Sequence, residues 1–199
     1  MNIVFDLGGV VVEWKPEALA ASVFDDVESQ RRALVDFIGH PDWLELDRGT
    51  LDPDQAIARA AERTGLSRAD LASMLGRVPA SLKPKPETVA LMERLKAAGH
   101  RLYCLSNMHV ASIAHLEASH GFFDLFDGTA ISCRLKLCKP EPAIYEHALK
   151  ANGLNAKDTV FIDDVDVNIA AAARVGIRTI QFRDTAQCER ELRALGVAA

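Results

Sequence analysis

No stretch of this 199-residue chain approaches the length of apolar run that a membrane span requires. The start, Met1-Asn2-Ile3, lacks the charged region that opens a secretory leader, so a cytoplasmic protein is expected. A basic excess is missing too. The 23 Lys and Arg are outnumbered by 28 Asp and Glu, and a net charge of −5 offers nucleic acid no electrostatic footprint. The four cysteines (Cys104, Cys133, Cys138, Cys188) have no metal-ligand spacing, and no histidine pair complements Cys133 and Cys138 as a zinc site would need. They read as reduced thiols, with Cys138 open to mild activation by neighbouring Lys139 if it is exposed. Repeats and low-complexity segments are also absent. What remains is a chain of ordinary hydrophobic content, 49%, sized for one large domain or one domain carrying an insert.

The apolar run Ile3-Val4-Phe5 ends at Asp6 and is followed by Gly8-Gly9, which predicts a buried strand breaking into a loop. From Pro16 to about Pro79, alanine, leucine and charges recur at helical spacing. Breaks at Gly39-His40-Pro41, at Gly49 with Pro53, and at Gly65 divide this stretch into several short helices. Strand and helix then alternate. Helix is predicted over 87–98 (Gly99 closing it), 109–119, 142–151 and 167–175, and strand over 101–105, 128–132, 159–162 and 177–182. That alternation predicts a doubly wound, mostly parallel α/β sheet, with the helical stretch forming a cap over its carboxyl edge.

Four short segments at strand ends then fall into one crevice, because ligands of an open α/β sheet bind outside the carboxyl ends of its strands. Asp6 supplies a carboxylate able to attack phosphorus and divide a hard hydrolysis into two easier steps. Gly8 and Gly9 let backbone approach a ligand, and their amides could form a small anion nest. Ser106-Asn107 offers a hydroxyl beside a helix N-terminus, and equally a plain helix cap. Lys139-Pro140 offers a cation for phosphoryl charge. Asp163 and Asp164 are adjacent acids at a strand end and call for a compensating cation. Mg²⁺ suits them, since it takes oxygen ligands and bridges to phosphate; Asp166 and Asn168 follow as supporting groups. Ala170 to Ala173 predicts close packing of the next helix on the sheet.

In this order the motifs resemble those of the haloacid dehalogenase superfamily, most of whose members are phosphatases. Phe5-Asp6-Leu7-Gly8-Gly9-Val10 resembles its first motif, Leu105-Ser106-Asn107 its second, Lys139-Pro140 its third, and Ile162-Asp163-Asp164 its fourth. The insert resembles a small helical-bundle cap. The resemblance implies a Rossmann-like core over residues 1–14 and 84–199 with a cap over 15–83. It implies Asp6 as nucleophile, Ser106, Asn107 and Gly9 binding the phosphoryl group, and Lys139 orienting it. The same resemblance implies Mg²⁺ on Asp6, Asp163, Asp164 and the Gly8 carbonyl.

One position departs from the phosphatase pattern, which has a second aspartate two residues after the nucleophile as general acid and base. Here it is Gly8. Such help is worth about 10²–10⁴ in rate. Its absence is tolerable for a good leaving group such as an anomeric, acyl or aryl phosphate. A subgroup with Asp-Leu-Gly at this place includes sugar-1-phosphate phosphatases. The expected function is therefore Mg²⁺-dependent hydrolysis of a small phosphorylated metabolite, a sugar phosphate in particular, by a monomer or homodimer. Glu13, His109 or an acid of the cap are substitutes for the missing group, and Asp47-Arg48 are cap residues that either touch substrate or form a surface salt bridge.

Two alternatives stand beside that reading. A 2-haloacid dehalogenase also lacks the second aspartate, but it needs no metal and would leave Asp163-Asp164 uncompensated. A regulatory or binding protein with a weakened site is the other, although Asp6, Ser106, Lys139 and Asp164 are all present.

Overall fold

The computed structural model describes residues 1–197 and holds five parallel strands in the order β3-β2-β1-β4-β5. They are β1 (Asn2–Phe5), β2 (Arg101–Ser106), β3 (Gly128–Ile131), β4 (Thr159–Asp163) and β5 (Arg178–Gln181). β1 is central, pairing in register with β2 (Phe5 beside Cys104) and with β4 (Phe5 beside Ile162). The connections run outward from β1 on one side through β2 and β3, then cross to β4 and β5 on the other. The strand order therefore reverses beside β1, the place where an α/β sheet opens its binding crevice.

Period-two alternation sorts the strand side chains onto two faces. Ile3, Phe5, Leu102, Cys104, Val160 and Ile162 pack with α6 (Pro86–Ala97), α7 (Val110–Ser119) and α11 (Thr185–Ala194). Val4, Tyr103, Leu105 and Phe161 pack with α9 (Pro142–Ala151) and α10 (Asp166–Arg174). Ala171 and Ala172 are fully buried, so the alanine run does bring α10 close to the sheet. Both layers rest on fully buried large side chains, each stabilising the fold by about 1.5–3 kcal/mol on transfer.

Between β1 and α6 lie α1 (Pro16–Ala21), α2 (Val27–Ala33) with a π-turn at Leu34–Ile38, α3 (Pro41–Arg48), α4 (Pro53–Thr64) and α5 (Arg68–Ser81). The predicted breaks are where the helices end. Gly49 and Gly65 take left-handed φ of 72° and 71° at the C-terminal ends of α3 and α4, while Asp52 and Ser67 cap α4 and α5. At Gly49 a side chain would also press on the carbonyl of Cys133, so the end of α3 lies close against α8 (Ser132–Leu135). The five helices share one hydrophobic cluster with the α6–α7–α11 face of the sheet. No described helix is long and apolar enough to cross a membrane.

The structure differs from the sequence reading at the C-terminal end. After β5 the chain forms α11, which was not anticipated, although Asp184 caps it by accepting the Gln187 amide at 2.7 Å. Ser132 opens α8 rather than closing β3.

Candidate active site

Asp6 lies one residue past β1 and Asp163 is the last residue of β4, so parallel pairing of the two strands sets their carboxylates side by side. Lys139 reaches between them from the loop before α9. Its Nζ is 2.8 Å from Asp6 Oδ1 and 2.7 Å from Asp163 Oδ2, and its side chain is 2% exposed. Burial alone would lower the Lys139 pKa, but the two carboxylates outweigh it and hold the ammonium more firmly protonated than usual. Burial pushes Asp6 up to about 7, with Lys139 opposing and Asp163 adding to the rise. The Leu7 amide also donates to Asp6 Oδ1 at 2.7 Å, and the nearby Ser106 hydroxyl works against the rise in its pKa.

Asp163 has no exposed surface. Its oxygens accept the Lys139 ammonium, the Val165 amide at 2.8 Å and the Asn168 side-chain amide at 3.1 Å to each oxygen. Asn168 therefore holds the Asp163 carboxylate from α10, and Tyr145 steadies it by donating to its carbonyl at 3.1 Å. Asp166 is not: it is exposed and accepts the Val167 amide at the start of α10. Asp164 is partly exposed and turned towards the cavity, and burial with neighbouring Asp163 raises its pKa. Oxygens of Asp6, Asp163 and Asp164 lie within 4.8 Å of one another, an all-oxygen set of the kind hard divalent cations take.

Two expected phosphate ligands have other partners. The Asn107 carboxamide clamps the backbone of Lys139, donating to its carbonyl at 2.9 Å and accepting its amide at 2.8 Å. That fixes the lysine and leaves a second amide hydrogen on Asn107, which lines the cavity. Gly9 departs further from the expectation. Its amide donates to the Val12 carbonyl at 2.9 Å, and its carbonyl accepts Lys85 Nζ at 2.5 Å, so the expected anion nest does not include the Gly9 amide. What the position needs is glycine itself: φ is +76°, and a Cβ there would overlap the Asp164 carboxylate.

Gly8, Ser106, Asn107, Lys139 and Asp164 line one cavity of about 280 Å³ with Asp6. The rest of its lining is mostly apolar: Ile38, Trp43, Val78 and Leu82 from the helical segment, Trp14 from the loop before it, and Met108 from the core. Trp43 anchors it, its ring 5.3 Å from Phe37 and 6.1 Å from Trp14 between centroids. Neither tryptophan was singled out in the sequence. Asp47 and Arg48 separate as well. Arg48 forms a two-pronged ion pair with Glu141 at 2.6 and 3.0 Å, whereas Asp47 lines the cavity. Cys138 is fully buried, and burial pushes its thiol up to about 12, which removes the activation considered for it.

A family model for haloacid dehalogenase-like hydrolases matches residues 1–176. The chain belongs to that family. Over 192 residues, 96% of this chain and 94% of its counterpart, it is 29% identical to a sesquiterpene phosphatase of Aspergillus oryzae. The expected assignment to the phosphoric monoester hydrolases of this family holds. Among solved structures, a family enzyme of Bacteroides thetaiotaomicron, in a singly substituted form with magnesium and inorganic phosphate, superimposes with a TM-score of 0.73 at 24% identity, covering 92% of this chain and 93% of that one. An L-2-haloacid dehalogenase of Xanthobacter autotrophicus shares the fold as well, at a TM-score of 0.68 and 19% identity over 100% of this chain and 84% of that one.

Proposed function

We propose that this hydrolase is a Mg²⁺-dependent phosphatase that passes a phosphoryl group through an aspartyl-phosphate on Asp6. The observation that carries the reading is the buried Asp6–Lys139–Asp163 triad with Asp164 beside it, at the mouth of a cavity walled by the helical segment. Asp6 attacks phosphorus; Lys139 neutralises developing charge and holds the nucleophile; Ser106 and the remaining Asn107 hydrogen bind phosphoryl oxygens. Asp6, Asp163, Asp164 and the Gly8 carbonyl would hold Mg²⁺, which supplies positive charge to the equatorial oxygens. Residues 15–83 form the cap over a core of 1–14 and 84–199, and the chain works in the cytoplasm as a monomer or homodimer.

The acidic cluster speaks against a dehalogenase, which would have no use for the Asp164 carboxylate. For the substrate, the glycine at position 8 supports a sugar phosphate with an anomeric leaving group. The apolar wall supports a second class, a monophosphate ester with an apolar body, and the sesquiterpene phosphatase relative points the same way. Phosphate release from an aryl phosphate, a sugar 1-phosphate and an isoprenoid alkyl monophosphate, each with Mg²⁺ and with EDTA, tests both levels. The expected result is metal-dependent release that Asp164→Asn no longer couples to added Mg²⁺. Release unaffected by EDTA would remove the metal from the mechanism.

Gly9→Ala should act on the same site from behind. The methyl group must displace Asp164 and the backbone must leave its left-handed conformation, so the Mg²⁺ concentration for half-activation should rise by roughly 10–100-fold. An unchanged activation curve would show that Asp164 does not reach the metal.

A further inference from the structure

The loop after β1 has no second acid, yet the cavity it borders does. Asp47, in the last turn of α3, lines that cavity with Asp6. The other two substitutes fare worse. Glu13 is tied to Lys15 at 2.7 Å and is not part of the cavity wall. His109 lines the cavity, but its Nε2 pairs with Ser112 Oγ at 3.0 Å and its ring stands edge-on to Trp43; burial pushes its pKa down to about 4, leaving a neutral ring that is a poor proton donor.

Resting on the phosphatase reading above, we propose that Asp47 is the general acid and base of this enzyme, delivered from α3 in place of the side chain missing at Gly8. Its placement is built in. The Ser132 hydroxyl donates to the Asp47 carbonyl at 2.5 Å, Lys136 donates to the Gly49 carbonyl at 2.6 Å, and Arg48 locks onto Glu141. These three ties fix the end of α3 against the core on both sides of Asp47. The His109 backbone amide lies beside its carboxylate and favours the charged form.

The surroundings suit an acid at neutral pH. Burial pushes Asp47 up to about 7, with the His109 amide and Lys139 opposing and Asp6 adding. The other titratable groups about it are Cys133 from α8 and Cys138 from the loop before α9, both with thiols raised by burial. Among the described residues Asp47 forms no ion pair, and its charge would sit at a helix C-terminus, where a carboxylate is disfavoured.

In the first half-reaction Asp6 forms the new O–P bond while the ester P–O bond breaks, and the Asp47 proton passes to the departing alkoxide to give the alcohol. In the second, Asp47 takes a proton from water as that oxygen attacks phosphorus. The Asp6–phosphorus bond breaks, inorganic phosphate leaves, and Asp47 is protonated again.

The test compares Asp47→Asn with wild type on an aryl and an alkyl monophosphate. Alkyl turnover should fall by about 10²–10⁴ and aryl turnover by less than about tenfold, because only the poor leaving group needs a proton. Gly8→Asp in the Asp47→Asn background should restore much of the alkyl rate, since a Cβ at Gly8 meets nothing nearer than Trp14 Cβ at 3.9 Å. Equal losses on both esters, or no recovery in the double variant, would overturn the role of Asp47 while leaving the phosphatase reading intact. A wild type that hydrolyses neither ester overturns both.

Discussion

Asp6→Asn is expected to stop phosphate release, with kcat falling on the order of 10⁴–10⁶. An amide oxygen carries no charge to attack phosphorus, so the two-step route closes and only water in a charged cavity remains. The fold should survive. Asparagine has the same shape, Lys139 keeps its 2.7 Å contact to Asp163, and a carboxylate that burial disfavours is gone. The measurement pairs phosphate release with a melting curve in the presence of EDTA. A variant that melts no lower than wild type and releases nothing places the chemistry on Asp6. A variant that turns over at the wild-type rate removes the aspartyl-phosphate from the mechanism.

That prediction could be written from the sequence alone, because strand register sets the two carboxylates of the triad side by side. Asp6 and Asp163–Asp164 follow short apolar runs that read as buried strands, and parallel pairing leaves their carboxylates in one crevice. Asn107 and Lys139 were legible as site residues, but not their mutual clamp, which depends on a loop conformation that no periodicity encodes. The same holds for Gly9. Its glycine was visible, while the reason for it, the Asp164 carboxylate pressed against its Cα, is a tertiary contact.

The segment between β1 and α6 was legible as helices and illegible as a surface. Pro41, Gly49 with Pro53, and Gly65 punctuate it plainly, yet which face meets the sheet depends on where each helix is anchored. Neighbours in sequence part company there: Arg48 turns to Glu141 while Asp47 turns to the cavity, and a shift of about 100° per residue decides which becomes chemistry. α11 was missed for a different reason. Its buried positions, Gln187, Cys188 and Leu192, give a thin apolar stripe in a charged segment, and only the Asp184 cap and the left-handed Gly196 mark its ends.

Lys139→Met should have the largest effect on stability of any single substitution in the site. The methionine keeps the volume but removes the one cation between two carboxylates with 9% and 0% side-chain exposure. Breaking a buried pair in this way costs about 3–5 kcal/mol, because the partners are left charged and unpaired. For a chain of this length, where 1 kcal/mol shifts the midpoint by roughly 2–4 °C, the melting temperature should drop by about 6–20 °C. Asp163→Asn added to Lys139→Met should recover part of that loss, since it removes one of the two stranded charges while its amide can still accept from Val165. Added Mg²⁺ should also raise the melting temperature of Lys139→Met more than that of wild type, because the cation then replaces charge the lysine supplied, and ligand binding to the folded state stabilises it. If Lys139→Met melts with the wild type in EDTA, the two carboxylates are not both ionised beside the lysine. The electrostatic account of the site would then have to start from a protonated Asp6.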